Sequence, residues 1–189
     1  MADTSALVSL ASASLLSLVL SEFDVVVTDI VVGELDAMST FDGTHGRAAT
    51  VSHVDLRWQC FSFDGTHGRA ATEVLENLDS MRVLNASDYQ RFMTSRIDSG
   101  EASCLEIIAG GGCDYLLTDD FRALGEIEKQ IGDAVLLSPI ILKVLVMRGI
   151  IGKSEALAKL GEIARKRDWL GRLIYRYAMR YFDCGLSDS

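Results

Sequence analysis

Proline occurs once in 189 residues, at Pro139, while 49% of residues are hydrophobic and 24% charged. A chain of this make-up is neither disordered nor fibrous and buries an ordinary core, expected as one domain. Basic residues are scarce: 18 Lys and Arg, only five of them lysine, against 27 Asp and Glu leave a net charge of −9. That excludes a generic basic nucleic-acid binder. The four cysteines (Cys60, Cys104, Cys113, Cys184) form no CxxC pair and no zinc-like spacing with the three histidines. They read as reduced thiols of a cytoplasmic protein, not as a disulfide framework. The longest uncharged apolar run, residues 6–20, is too short to span a bilayer and lacks a basic flank, so a buried helix is expected there and no membrane partner. Phosphate-cradling GxxxxGK[ST] and strand-linked GxGxxG loops are missing, as is the DxDx[TV] nucleophile motif.

Four short apolar runs stand between polar boundaries: 24–28 (DVVVT), 81–84 (MRVL), 114–118 (DYLLT) and 134–137 (AVLL). Their length and continuous apolarity predict strands buried on both faces of a parallel sheet. Helical periodicity marks 4–20, 30–38, 68–78, 87–97, 101–110 and 121–131. The alternation predicts an α/β fold, a three-layer α/β/α sandwich around a central parallel sheet.

Beyond the last strand, Ser138 and Pro139 predict an N-cap and first-turn proline for a helix ending near Arg148–Gly149. Two C-terminal helices follow, the first capped by Ser154. The second carries Trp169, Leu170, Leu173, Ile174, Tyr177, Ala178, Tyr181 and Phe182 in one apolar stripe. That stripe packs on the domain, with a homodimer or partner interface as the alternative. Residues 1–150 hold 10 basic and 22 acidic groups, whereas 151–189 hold 8 and 5. A solvated helix face explains the basic tail, and contact with a phosphate backbone is the other reading. One ten-residue string, FDGTHGRAAT, occurs at 41–50 and again at 63–72, an offset of 22. Only the second copy enters an apolar-periodic segment (Ala70, Ala71, Val74, Leu75, Leu78). His45 and His67 read as copies of one surface position, not as metal ligands.

Chemistry is concentrated in carboxylates at strand ends and in first helical turns: Asp3, Asp29, Glu34, Asp98, Glu101, Asp119 and Asp120. In a parallel α/β sheet such positions converge on one crevice. Several carboxylates sharing a pocket repel one another unless a cation or protons neutralise them. Oxygen donors without thiol or imidazole favour Mg²⁺ or Mn²⁺ over zinc, and such ions serve phosphodiester hydrolysis. Taken singly, the aspartates also sit where N-caps belong, and Asp98 with Glu101 reads as a capping box. Glu34, between Val31, Val32 and Leu35, has no capping duty.

The order ADTSALVSLA (2–11), VVVTDIVVGEL (25–35), DSGEASCLEIIA (98–109) and CDYLLTDDFRAL (113–124), followed by a strand, Ser-Pro and VLVMRGII (144–151), resembles PIN-domain proteins, notably VapC-type toxins of toxin–antitoxin pairs. The resemblance covers residues 1–152, with 153–189 as a helical extension. It implies an Mg²⁺- or Mn²⁺-dependent endoribonuclease acting on RNA, restrained by an antitoxin protein. Matching motif by motif, Asp3, Glu34, Glu101 and either Asp119 or Asp120 would be the acidic residues, Asp98 a supporting one, and Ser5 or Thr118 donors behind them. Two features depart from the pattern. Only two residues precede Asp3, where a hydrophobic strand is expected, and the duplication lies between the second and third acidic motifs. The alternative is a catalytically inactive PIN-like scaffold that binds protein or RNA through its C-terminal helices.

Overall fold

A computed structural model describes residues 1–40, 66–170 and 172–183. The first repeat copy with His45, the segment 51–62 with Cys60, the start of the second copy (63–65) and Cys184 lie outside the described residues. The fold is mixed α/β and mostly helical, with two short parallel strand pairs. Strand β1 (Val26–Thr28) pairs with β2 (Arg82–Leu84), and β3 (Leu116–Leu117) pairs with β4 (Val135–Leu136). Residues 1–3 run between the pairs. The Ala2 amide donates to the Val26 carbonyl, the Asp3 amide to Leu117 and the Leu117 amide to Met1. The expected hydrophobic first strand is thus reduced to an isolated parallel bridge, Ala2 with Leu117. Strands β1 and β3 are buried throughout, but β2 is an exposed edge, its Arg82 paired with Asp24.

The helix expected over 4–20 breaks in two. Helix α1 (Thr4–Ser12) and α2 (Leu16–Glu22) diverge by 115° across a turn in which Ser14 takes a positive φ of 54°. The Ala13 and Leu15 amides both return to the Leu10 carbonyl, closing α1. Ser9 and Ser12 donate their hydroxyls back to carbonyls in the preceding turn, competing with the backbone ladder. No single helix among the described residues is long and apolar enough to cross a membrane.

Helix α3 (Asp29–Ser39) is capped by Thr28, whose hydroxyl accepts from the Val31 amide, so Asp29 is a first-turn residue and not the cap. Helix α4 (Thr66–Glu76) buries Ala70, Ala71 and Val74, as the spacing of the second copy predicts. His67, in its first turn, is half-buried against Val8, Ser12, Lys166 and Arg167 and is not a plain surface position. No helix forms over 87–97. A single 3-10 turn, Tyr89–Phe92, is held by the Glu106 carboxylate accepting from the Asp88 amide, and Thr94 closes the segment by accepting from Arg96 and Ile97. Helices α5 (Ser99–Ala109) and α6 (Leu124–Ile131) follow.

Helix α7 (Ser138–Met147) starts one residue earlier than expected. Leu137 is its N-cap, Ser138 is helical, and Gly149 ends it with a φ of 71°. Helix α8 (Lys153–Lys166) is capped by Gly152 and not by Ser154, and α9 (Leu173–Asp183) closes the described chain. Ala156, Leu160, Ile163 and Ala164 of α8 join the same apolar core as α1 and α7. Lysines of α8 satisfy the carbonyls at the end of α1: Lys159 Nζ donates to Ala13 O at 2.7 Å and Lys166 Nζ to Ser12 O. The apolar stripe of α9 splits. Trp169, Ile174, Ala178 and Phe182 are buried, whereas Leu170, Leu173 and Tyr177 are exposed. Cys104 and Cys113 are free thiols.

Candidate functional site

Asp3, Thr4, Ser5, Glu34, Asp98, Gly100 and Glu101 line one tight cleft. Three separate pieces of chain deliver them: the start of α1, the second turn of α3 and the start of α5. Asp3 is buried and is the N-cap of α1, accepting from the Ala6 amide at 2.9 Å. Its carboxylate also accepts from Ser5 Oγ (2.9 and 3.0 Å) and from Thr118 Oγ1 at 2.6 Å. Ser5 and Thr118 therefore hold a candidate carboxylate, in the manner expected of donors behind the site.

Glu34 caps nothing. It projects from the second turn of α3 and accepts from Thr4 Oγ1 at 2.6 Å and Ser99 Oγ at 2.9 Å. Asp98 and Glu101 form the full capping box: the Glu101 amide donates to Asp98 Oδ1 and the Asp98 amide to Glu101 Oε2. The capping reading and the site reading thus apply to the same atoms.

The TDD pair separates. Asp119 turns away from the cleft and accepts from the Ser138 amide (2.9 Å) and hydroxyl (2.7 Å), satisfying the N-terminus of α7. Asp120 is gripped by Arg122 through Nε, Nη2 and the backbone amide, and its charge acts on Glu101. Neither lines the cleft itself: the Asp119 charge acts on Asp3 and the Asp120 charge on Glu101, but Asp119 is committed to the start of α7 and Asp120 to Arg122. Substituting Asp119→Ala strands two buried donors, and each such loss costs about 1–3 kcal/mol. We expect a clear fall in melting temperature for that variant, with none for Asp120→Asn; thermal melts of the two side by side check the division.

Burial raises several carboxyls in this region, Asp119 included, against the hydrogen bonds from Ser138 and Ser9. Burial pushes the Asp3 carboxyl up to about 7, opposed by the hydrogen bonds from Thr118, Ala6 and Ser5. Glu34 also rises to about 7, through burial and the nearby Asp98 charge. Glu101 is raised well above the usual carboxylate range by burial, then by its hydrogen bond to Asp98 and by the charges of Asp98, Asp3 and Asp120. The salt bridges among the described residues engage Asp120 but not Asp3, Glu34 or Glu101. One further cation faces the cluster from behind. Arg167, just past α8, lies in the field of Asp119, Asp3 and Asp120; its Nε is enclosed without a hydrogen-bond partner, and burial lowers its affinity for its proton.

As they stand, no three Asp, Glu, His or Cys side chains among the described residues are disposed about one point as metal ligands would be. The carboxylates are turned onto serine, threonine and backbone donors instead. Their chemistry nonetheless fits a hard divalent cation: oxygen donors only, several of them buried, mutually repelling and, Asp120 apart, without a paired base.

Thr4, Ser99, Arg122 and Arg167 were not legible as site residues. Thr4 and Ser99 adjoin named positions, so hydroxyls next to motif acids were the available signal. Arg167 had none, lying outside the motif-bearing segment. No protein-family model matches the chain, and no curated protein or solved structure matches it.

Proposed function

We propose that the cleft is the active site of an Mg²⁺- or Mn²⁺-dependent endoribonuclease of PIN-like architecture. The observation that carries the reading is the gathering of Asp3, Glu34, Asp98 and Glu101 around one cleft with Asp120 beside it. Three of these carboxyls bind protons more tightly than usual and have no paired base. A pocket of that kind is relieved by a divalent cation. The strand sequence β2, β1, residues 1–3, β3, β4, joined by backbone hydrogen bonds, supports reading the two strand pairs as one central parallel sheet of a three-layer sandwich.

Asp3, Glu34 and Glu101, with Asp98 and Asp120, would hold the ion. When bound, such an ion lowers the pKa of water and neutralises charge on the phosphoryl group. Ser5 and Thr118 fix the Asp3 carboxylate, Thr4 and Ser99 fix Glu34, and Arg122 fixes Asp120. With proton affinities near 7, Asp3 and Glu34 change charge close to neutral pH. The cleft is therefore least hostile to an anionic strand once protons or a cation have discharged it. Restraint by an antitoxin protein belongs to the same reading, as a partner laid over this cleft.

Cleavage of mixed-sequence single-stranded RNA in EDTA, Mg²⁺ and Mn²⁺ by the full chain, beside Glu34→Gln, tests the proposal. Metal-dependent cutting that is lost in the variant is expected. Equal cutting by both chains, or none by a folded chain under either metal, sinks it. The second reading, an inactive scaffold, is favoured by one specific observation, that the carboxylates are not disposed as a ready ligand set.

A further inference from the structure

Helix α9 has two unlike sides. Ile174, Ala178 and Phe182 recur every four residues and are buried. Arg172, Arg176 and Arg180 recur at the same spacing on the exposed side. Beside them stand Leu173, 61% exposed, and Tyr177, 44% exposed. Four residues of helix rise about 6 Å, so the three arginines form a row along about 12 Å of axis. Arg172 is shared with Asp168 in an exposed pair, while Arg176 and Arg180 have no carboxylate partner among the described residues.

The row is a local excess of positive charge on a chain of net −9. Bringing two copies of this face together about a two-fold axis would set arginine against arginine, which disfavours self-association here. The charge calls for an anionic occupant with regularly spaced charges. Tyr177 adds a second requirement: its ring meets Phe121 edge-on, with centroids 6.3 Å apart and planes at 62°. Part of the tyrosine remains uncovered. An acidic peptide would answer the arginines too, but its carboxylates carry no regular spacing. A single strand of nucleic acid answers both, with phosphates for the guanidiniums and bases that stack on the ring. Tyr177 stands between Arg176 and Arg180, and the ring it meets, Phe121, is the chain neighbour of Asp120.

We infer that the exposed face of α9 and the residue before it, formed by Arg172, Arg176, Arg180 and Tyr177, docks single-stranded RNA. The choice of RNA rests on the nuclease reading above, but the surface is tested without cleavage.

Anisotropy of a fluorescein-labelled, mixed-sequence single-stranded RNA, titrated with the full chain in EDTA across a salt series, measures docking alone. Wild type is expected to bind with strong salt dependence. The Arg176→Ala/Arg180→Ala double variant is expected to bind about tenfold more weakly, with the log–log salt slope reduced by about 1.4, since each phosphate contact contributes about 0.7 for a single strand. Tyr177→Leu keeps the apolar bulk and is expected to lose about five- to tenfold without a change of slope. Both alter exposed positions, and unchanged melting curves show that the fold is retained. Equal affinity and slope for wild type and double variant overturn the inference, as does failure of wild type to bind at low salt. A double variant that changes only its sedimentation coefficient overturns it in favour of a protein contact. Wild type that binds with these signatures yet cuts nothing under Mg²⁺ or Mn²⁺ marks failure of the nuclease reading and not of this one.

Discussion

The Asp3→Asn variant is expected to lose Mg²⁺- or Mn²⁺-dependent cleavage by at least two orders of magnitude and yet to melt higher than wild type in EDTA at pH 8. The two effects share one cause. The Asp3 carboxyl is 2% exposed, and burial moves its pKa from 3.8 to about 7. Between those values the folded chain keeps a proton that the unfolded chain has released. Stability is therefore greatest on the acid side, falls as pH rises through that window, and levels off above about 7. Three pH units correspond to a ceiling of about 4 kcal/mol at 1.36 kcal/mol per unit. Glu34, also near 7, shares the same cleft, so the two contributions do not add.

Asparagine removes the ionisation while its carbonyl still accepts from the Ala6 amide as an N-cap. Its amide group, however, meets Ser5 and Thr118, which now donate to a carboxylate. We expect a net gain of about 1–2 kcal/mol at pH 8, or about 3–6 °C for a chain of this size. At pH 5 the wild-type carboxyl is already neutral and the gain vanishes. Thermal melts of both chains at pH 5 and pH 8, with and without Mg²⁺, read this directly. Mg²⁺ should raise the wild-type midpoint at pH 8 and leave the variant's unchanged. A midpoint lowered equally at both pH values would mean that Asp3 is a helix cap and nothing more.

The strand positions were legible because Val26, Val27, Leu116 and Leu117 are continuous apolar residues, and burial on both faces leaves no other pattern. The converging acids were legible from their places after strands and at helix starts. What the sequence hides is where a polar group finds its partner. Asp119 and Asp120 look alike in TDD, and only the bonds to Ser138, 19 residues on, and to Arg122 tell them apart. The break after Ser12 was hidden too, since residues 6–20 are apolar through the turn and serine hydroxyls bonded within the helix leave no periodic mark. Over 87–97, Tyr89 and Phe92 mimic helical spacing, but the segment is fixed by Glu106 from another helix. The C-terminal apolar stripe reads in sequence as one face, yet Leu170, Leu173 and Tyr177 are solvated, because residues one apart, such as Leu173 and Ile174, lie on either side of the burial boundary, while the Tyr181 side chain lies outside the described residues.

Gly100→Ala is expected to separate the site from the fold. A Cβ at position 100 would lie 2.5 Å from Glu34 Oε2 and 2.9 Å from Oε1, a clash with the end of a flexible side chain and not with backbone. The carboxylate must therefore give way, leaving Ser99 Oγ and Thr4 Oγ1. Gly100 is the second residue of α5, where alanine is the better helix former by up to about 1 kcal/mol. That gain offsets part of the lost hydrogen bonding, so the melting temperature is expected to stay within a few degrees of wild type. Activity is more demanding, since a displacement of about 1 Å in a catalytic constellation costs on the order of a hundredfold in rate. Rates of RNA cleavage at saturating Mn²⁺, set beside melting curves of the same preparations, check the separation. A variant that cuts as fast as wild type would show that the place of Glu34 beside Gly100 is irrelevant to turnover. One that unfolds would show instead that the contact is part of the packing of α3 on α5, and that the glycine between Asp98 and Glu101 serves the fold before it serves the cleft.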